Sequence, residues 1–259
     1  GQWPLNGCEY CKNIEDAGGI SDRITNLDLH GMYAPKELDT DPTAVHVTPR
    51  ILEVYFDNVC NLKCVTCSPY HSSQLIGEWE DLKIINSDEK KYFIKVSKQA
   101  PTKIEFIQDV LNNSDFDKLR LEIFGGEPLI NPNIFKFIDW VAEQPFAAQT
   151  MLSITSNSTT FTDKIEYYTN KFKYVSLQLS IDGIGETFEY LRYGANYNES
   201  TENIKKYYAL FDNHPNYTLS MNYTLSWMNS LHFVDFYNWA ITNFPKLHMH
   251  LTKLEGPDY

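Results

Sequence analysis

The sequence predicts an α/β fold, a partial (β/α)6 TIM-like barrel preceded by an irregular N-terminal segment. Two observations carry this prediction. From Ile51 onward, short runs of β-branched and aromatic residues alternate with stretches of helical period, six times in all, the texture of parallel βα units. Right-handed crossovers bring the C-terminal ends of such strands to one rim. The residues of unusual chemistry all follow predicted strands, as expected of a functional rim.

The elements follow in order. Residues 1–50 carry Gly18-Gly19, Gly31, Pro35, Pro42 and Pro49 without a sustained period, and read as irregular. Ile51–Asp57 is the first strand, and helical patterns follow around Ser72–Leu82, Glu89–Gln99 and Lys103–Asn112. Leu119–Phe124 is the second strand, ending at Gly125-Gly126 with helix Asn133–Glu143 behind it. Met151–Thr155 precedes helix Asp163–Lys171, and Tyr174–Ile181 precedes helix Thr201–Asn213. Tyr217–Leu225 precedes helix Leu231–Asn243, and Leu247–Lys253 closes the series. Two domains result: residues 1–50, and a barrel over residues 51–259.

Of 259 residues, 42% are hydrophobic and 22% charged, with Gly 12 and Pro 12, which excludes disordered and collagenous classes. The formal charge of −12 comes without a basic stripe, so neither nucleic acid nor an anionic membrane is an expected partner. No apolar run reaches the length of a membrane span and no signal pattern opens the chain, and the expected location is cytoplasmic. A start at Gly1 and an end at Tyr259 predict a fragment of a longer protein.

Five cysteines fall in two clusters, Cys8 with Cys11 and Cys60 with Cys64 and Cys67. An odd, clustered set is a poor disulfide framework and points to metal chemistry in a reducing compartment. Structural zinc takes four closed ligands, usually as two separated pairs. Three thiols within eight residues instead suit a 4Fe–4S cluster held at three corners with one iron open. A fourth ligand from Cys8 or Cys11 would close the site as a non-catalytic Fe–S or zinc centre, and spacing alone leaves both readings open.

The CxxxCxxC of Cys60, Cys64 and Cys67, directly after the first strand, resembles the signature of the radical S-adenosylmethionine (radical SAM) superfamily. The resemblance continues in order along the chain. Gly125-Gly126-Glu127-Pro128 is similar to its GGEP motif, Ser156-Asn157 to its ribose-contacting segment, and Ser180-Ile181-Asp182-Gly183 to its SIDG segment. Arg192 stands where the family places a residue near the methionine carboxylate. The match runs from Ile51 to about Lys253. Thr66 departs from the aromatic residue often found before the last cysteine, which removes a packing contact near adenine and leaves the ligands untouched. Each motif has a plainer reading taken singly: GGEP as a turn before a helix, SIDG as an Asp-Gly turn, Arg192 as a surface ion pair. Together with the cysteines the set reads as one site.

The resemblance implies a six-stranded partial barrel and a mechanism. The open iron chelates S-adenosylmethionine, and reductive cleavage yields methionine and a 5′-deoxyadenosyl radical that abstracts hydrogen from substrate. It implies that Gly125, Gly126 and Glu127 receive the methionine amino group and Arg192 its carboxylate, with Ser156, Asn157, Ser180 and Asp182 on the ribose side. It further implies an external electron donor of flavodoxin or ferredoxin type and a peptide or small-molecule substrate. Cys8-Glu9-Tyr10-Cys11 resembles the tail of an auxiliary-cluster segment of the Twitch or SPASM kind, so Cys8 and Cys11 are candidate ligands of an auxiliary Fe–S cluster or of zinc. His71, His248, His250 and the aromatic run Phe233–Trp239 read as packing or surface residues.

Overall fold

Along Tyr174–Ser180, Val175, Leu177 and Leu179 are fully buried while Tyr174, Ser176, Gln178 and Ser180 are half-buried, a period of two with one face turned to a core. Leu119, Leu121 and Ile123 repeat the pattern in one strand, and Tyr217, Leu219, Met221 and Tyr223 in another. The structure is a computed structural model that describes residues 9–21, 24, 50–98, 103–113 and 118–254. The chain divides into two compact units, Gly1–Ile51 and Leu52–Tyr259.

In the first unit, the segment expected to be irregular contains a helix, Glu9–Asp16 (α1). Glu9 favours its first turn, Lys12 pairs with Asp16 one turn on, and the N–H groups of Gly18 and Gly19 close its end on Glu15 and Ile14. Two turns are too short for periodicity to reveal. Cys8, Gly31, Pro35, Pro42 and Pro49 lie outside the described residues.

The second unit follows the expected strand–helix order. After β1 (Ile51–Tyr55) and the short β2 (Lys63–Cys64) come α2 (Ile76–Asp81), α3 (Ser87–Lys98) and α4 (Ile104–Asn112). Then follow β3 (Leu119–Phe124), α5 (Pro132–Ala142), β4 (Thr150–Ser156), α6 (Lys164–Thr169) and β5 (Tyr174–Ser180). The chain continues through α7 (Gly185–Leu191), β6 (Arg192–Tyr193), α8 (Tyr197–Asn213), β7 (Tyr217–Leu225), α9 (Phe233–Asn243) and β8 (His248–Lys253).

Six strands form one sheet in the order β1-β3-β4-β5-β7-β8, and the pairings from β3 to β8 are all parallel. Each long strand thus neighbours the one before it in the chain, the winding of a partial TIM-like barrel. The helices cover one face, where Phe137, Ile138, Tyr168 and Phe236 pack on the alternate strand residues. The opposite face carries Ser153 level with Ser176, Gln178 level with Ser220, and Asn222 level with His250. Three elements of this unit were not expected: α7, and the strands β2 and β6 that form a two-residue antiparallel ladder.

Candidate active site

The cysteines ride on the loop after β1, which buried amides and hydroxyls hold in place. Asp57 accepts the Val59 N–H at 2.9 Å through Oδ1 and the Asn131 side-chain amide at 2.6 Å through Oδ2. Asn58, fully buried, donates to the Pro69 carbonyl at 2.7 Å and accepts from the Ser97 hydroxyl at 2.7 Å. The Ser72 hydroxyl donates to the Leu62 carbonyl at 2.6 Å. A segment whose regular structure is confined to the two residues of β2 stays fixed because its buried polar groups are paired within the protein.

On this loop Cys60 is buried and Cys64 and Cys67 half-buried, all three as free thiols. Burial pushes each thiol up to about 11. The thiols also oppose one another's ionisation, while the Arg192 charge favours the thiolates of Cys64 and Cys67. Thiols held this way are inert by themselves, and turn into ligands when a metal centre offsets the buried charge.

The Gly-Gly turn after β3 lies directly on the cysteine loop. The N–H groups of Gly126 and Glu127 donate to the carbonyls of Asp57 and Val59, each at 2.9 Å. A Cβ on Gly126 would stand 2.2 Å from the Val59 carbonyl oxygen, and one on Gly125, at φ +148°, 2.9 Å from that of Asp57. Only glycines permit this approach. Glu127 is 1% exposed and binds the rim of β4. It accepts from the Ser156 hydroxyl at 2.9 Å, the Asn157 N–H at 2.6 Å and the Leu129 N–H at 3.0 Å. Its carboxyl lies above the ordinary value because desolvation outweighs those bonds. The Asn157 amide returns to the cysteine loop, donating to Asn61 Oδ1 at 2.8 Å and approaching Cys60 Sγ at 3.8 Å.

Beyond β5, Asp182 accepts the Thr224 N–H at 2.8 Å through Oδ1 and meets Arg192 Nη2 at 2.7 Å through Oδ2. Asn229 donates to the carbonyls of Asp182 and Thr224 at 3.1 and 2.9 Å and seals that corner. Arg192, 7% exposed, faces Cys64 across the β2–β6 ladder, and its Nε is buried without a partner.

One rim therefore gathers Cys60, Cys64, Cys67, Gly125, Gly126, Glu127, Ser156, Asn157, Asp182 and Arg192. Ser180 ends β5 half-buried, level with Asn222. Cys11 is half-buried in the other unit, and Cys8 is not among the described residues. The carboxylate of Asp182, expected on the ribose side, spends both oxygens on Thr224 and Arg192. Asp57, Asn58, Asn131 and Asn229 were not singled out by the sequence. Asn131 alone carried a local signal, as the residue before Pro132 that caps α5 through the Asn133 N–H.

A cavity of about 640 Å³ borders the cysteine loop, walled by Lys63, Cys64, Cys67, Trp79, Tyr190 and Tyr193. Among the described residues, no three His, Cys, Asp or Glu side chains converge closely enough for one metal ion. Zinc draws thiolates to about 2.3 Å, whereas a cubane cluster keeps them apart on separate corners. The three thiols of the loop, with the partnerless Arg192 Nε beside them, fit a group that takes three thiolates and an anionic ligand. His71 meets Tyr55 edge-on, and His248 and His250 stand exposed on β8. No described helix is long and apolar enough to cross a membrane.

No family model matches the chain, and no curated protein matches it. Solved structures do. Native anSMEcpe with bound AdoMet and the Cp18Cys peptide is 17% identical, with a TM-score of 0.54 over 81% of this chain and 53% of that one. SuiB of Streptococcus suis bound to S-adenosylmethionine is 15% identical, with a TM-score of 0.51 over 99% of this chain and 47% of that one. SuiB bound to its precursor peptide SuiA is 14% identical, with a TM-score of 0.53 over 96% and 52%. The chain spans about half the length of these structures, and the likeness establishes the shared fold.

Proposed function

We propose that this chain is the core of a radical SAM enzyme in which Cys60, Cys64 and Cys67 hold a 4Fe–4S cluster and the open iron takes S-adenosylmethionine. The observation that carries the reading is the junction of three rim loops. The Gly125-Gly126 backbone lies on the cysteine loop, and Glu127 ties both to Ser156 and Asn157. The sharing of this fold by structures holding AdoMet supports it.

Once bound, the cluster and S-adenosylmethionine supply a 5′-deoxyadenosyl radical that abstracts hydrogen from the substrate. The protein binds, orients and excludes water. The methionine amino group donates, so the turn can receive it only through carbonyls; that of Glu127 accepts the Ile130 N–H at 3.3 Å, which leaves those of Gly125 and Gly126 for it. Arg192, with a buried donor unspent, receives the methionine carboxylate. Ser156, Asn157 and Ser180 line the ribose side, and Asp182 serves by holding Arg192.

The substrate class is a peptide or a small molecule, and the peptides in the anSMEcpe and SuiB structures favour the former. An external one-electron donor of flavodoxin or ferredoxin type completes the cycle. In residues 1–50, Cys8 and Cys11 are candidate ligands of an auxiliary cluster, and their joint replacement should leave cleavage of S-adenosylmethionine intact.

The test is anaerobic. The chain, reconstituted with iron and sulfide and reduced with dithionite, should bind about four irons and release 5′-deoxyadenosine from S-adenosylmethionine, read by mass spectrometry. Cys64→Ala should abolish both. A cluster that forms in the parent yet cleaves nothing, with a spectrum unmoved by S-adenosylmethionine, would overturn the reading in favour of a closed, non-catalytic site.

A further inference from the structure

We infer that Arg192 is a redox-tuning residue: its buried guanidinium, positioned by Asp182 and set across the β2–β6 ladder from Cys64, raises the reduction potential of the cluster bound at Cys60, Cys64 and Cys67. The inference rests on the proposed function only in requiring that these cysteines hold a cluster.

The geometry is local and specific. Cys64 and Arg192 are paired residues of a two-residue antiparallel ladder, and the Val65 N–H reaches the Leu191 carbonyl at 2.8 Å. The backbone thereby fixes the arginine's main chain beside the thiol loop, and Asp182 Oδ2, 2.7 Å from Nη2, holds its guanidinium. Arg192 and Asp182 are 7% and 1% exposed, so water screens their charges poorly.

A cluster with three thiolates carries a net charge of −1 when its core is 2+ and −2 after one electron enters and the core becomes 1+. A nearby fixed cation stabilises the second state more than the first, so its presence raises the potential. Asp182 offsets part of that effect while holding the guanidinium in place. Removing the arginine should therefore lower the potential, and a lysine that keeps the charge should hold it near the parent. A role of the guanidinium in shape alone would not predict that recovery.

The experiment is an anaerobic redox titration of the reconstituted full chain without S-adenosylmethionine, with dithionite as electron donor and the reduced cluster read by EPR. Arg192→Gln should lower the equilibrium constant for reduction about tenfold, equal to about 59 mV for a one-electron couple. Arg192→Lys should stay within about threefold of the parent. Should Arg192→Gln fail to load iron, the lysine variant decides. An unchanged potential in Arg192→Gln, or an Arg192→Lys that falls as far as about tenfold, would overturn the inference while leaving the cluster assignment standing. A parent chain that binds no cluster would overturn the proposed function instead.

Discussion

Glu127 is a carboxylate removed from water and given three donors, the Ser156 hydroxyl and the N–H groups of Asn157 and Leu129. Desolvation still dominates, and its carboxyl lies above the ordinary value of 4.5. The folded chain therefore holds that proton more tightly than the unfolded chain does. The associated stability is fully present below 4.5 and is lost as pH rises through the raised value. Urea unfolding of the metal-free chain, followed from about pH 5 upward, should show stability falling faster in the parent than in Glu127→Gln. Parallel slopes would mean that the buried carboxylate ionises without cost. Glu127 was legible in the sequence through its motif, but its environment was not. The Ser156 and Asn157 contacts join residues about thirty positions apart, and only the parallel pairing of β3 with β4 brings them together.

At the scale of elements, the junction between the β3 turn and the cysteine loop depends on the absence of a side chain at Gly126. A methyl there would sit 2.2 Å from the Val59 carbonyl oxygen, and backbone cannot move aside as a flexible side chain would. Gly126→Ala should cost at least about 2 kcal/mol in chemical unfolding and reduce the iron bound on reconstitution. Gly77, inside α2, has nothing within 4 Å of the place a methyl would take. Gly77→Ala should thus gain up to about 1 kcal/mol from helix propensity and leave iron content unchanged. The pair separates a local glycine effect from one specific to the junction. The long strands were legible because one buried face imposes a period of two, and β3 and β7 match the expected bounds residue for residue. The β2–β6 ladder was not legible, since two residues have no period and their pairing is set by the fold around Cys64 and Arg192. Helix α7 was hidden inside what reads as a loop, being only seven residues long.

Over the whole sheet, the two faces do different work. Strands of a parallel sheet covered on both sides read as continuous apolar runs. Here only the helix-covered face does, with Leu152, Ile154, Val175, Leu177 and Leu219 at 0% exposure. The other face presents Ser153, Ser176, Gln178, Ser220, Asn222 and His250, with the Asn222 amide donating to Gln178 Oε1 at 3.0 Å. Such a surface adds little hydrophobic stabilisation, so the fold must be held by the helix-covered face alone. Neighbouring residues of β5 test this directly. Leu177→Ala opens a cavity among well-packed side chains and should cost about 2–5 kcal/mol. Ser176→Ala, one position away on the polar face, should stay within about 0.5 kcal/mol of the parent. Both are read from urea midpoints at constant slope. A loss at Ser176 comparable to that at Leu177 would mean that the polar face is itself part of the packed interior. The expected asymmetry leaves the polar face free to be shaped for a ligand, since its side chains can change without unfolding the barrel that positions the cysteine rim.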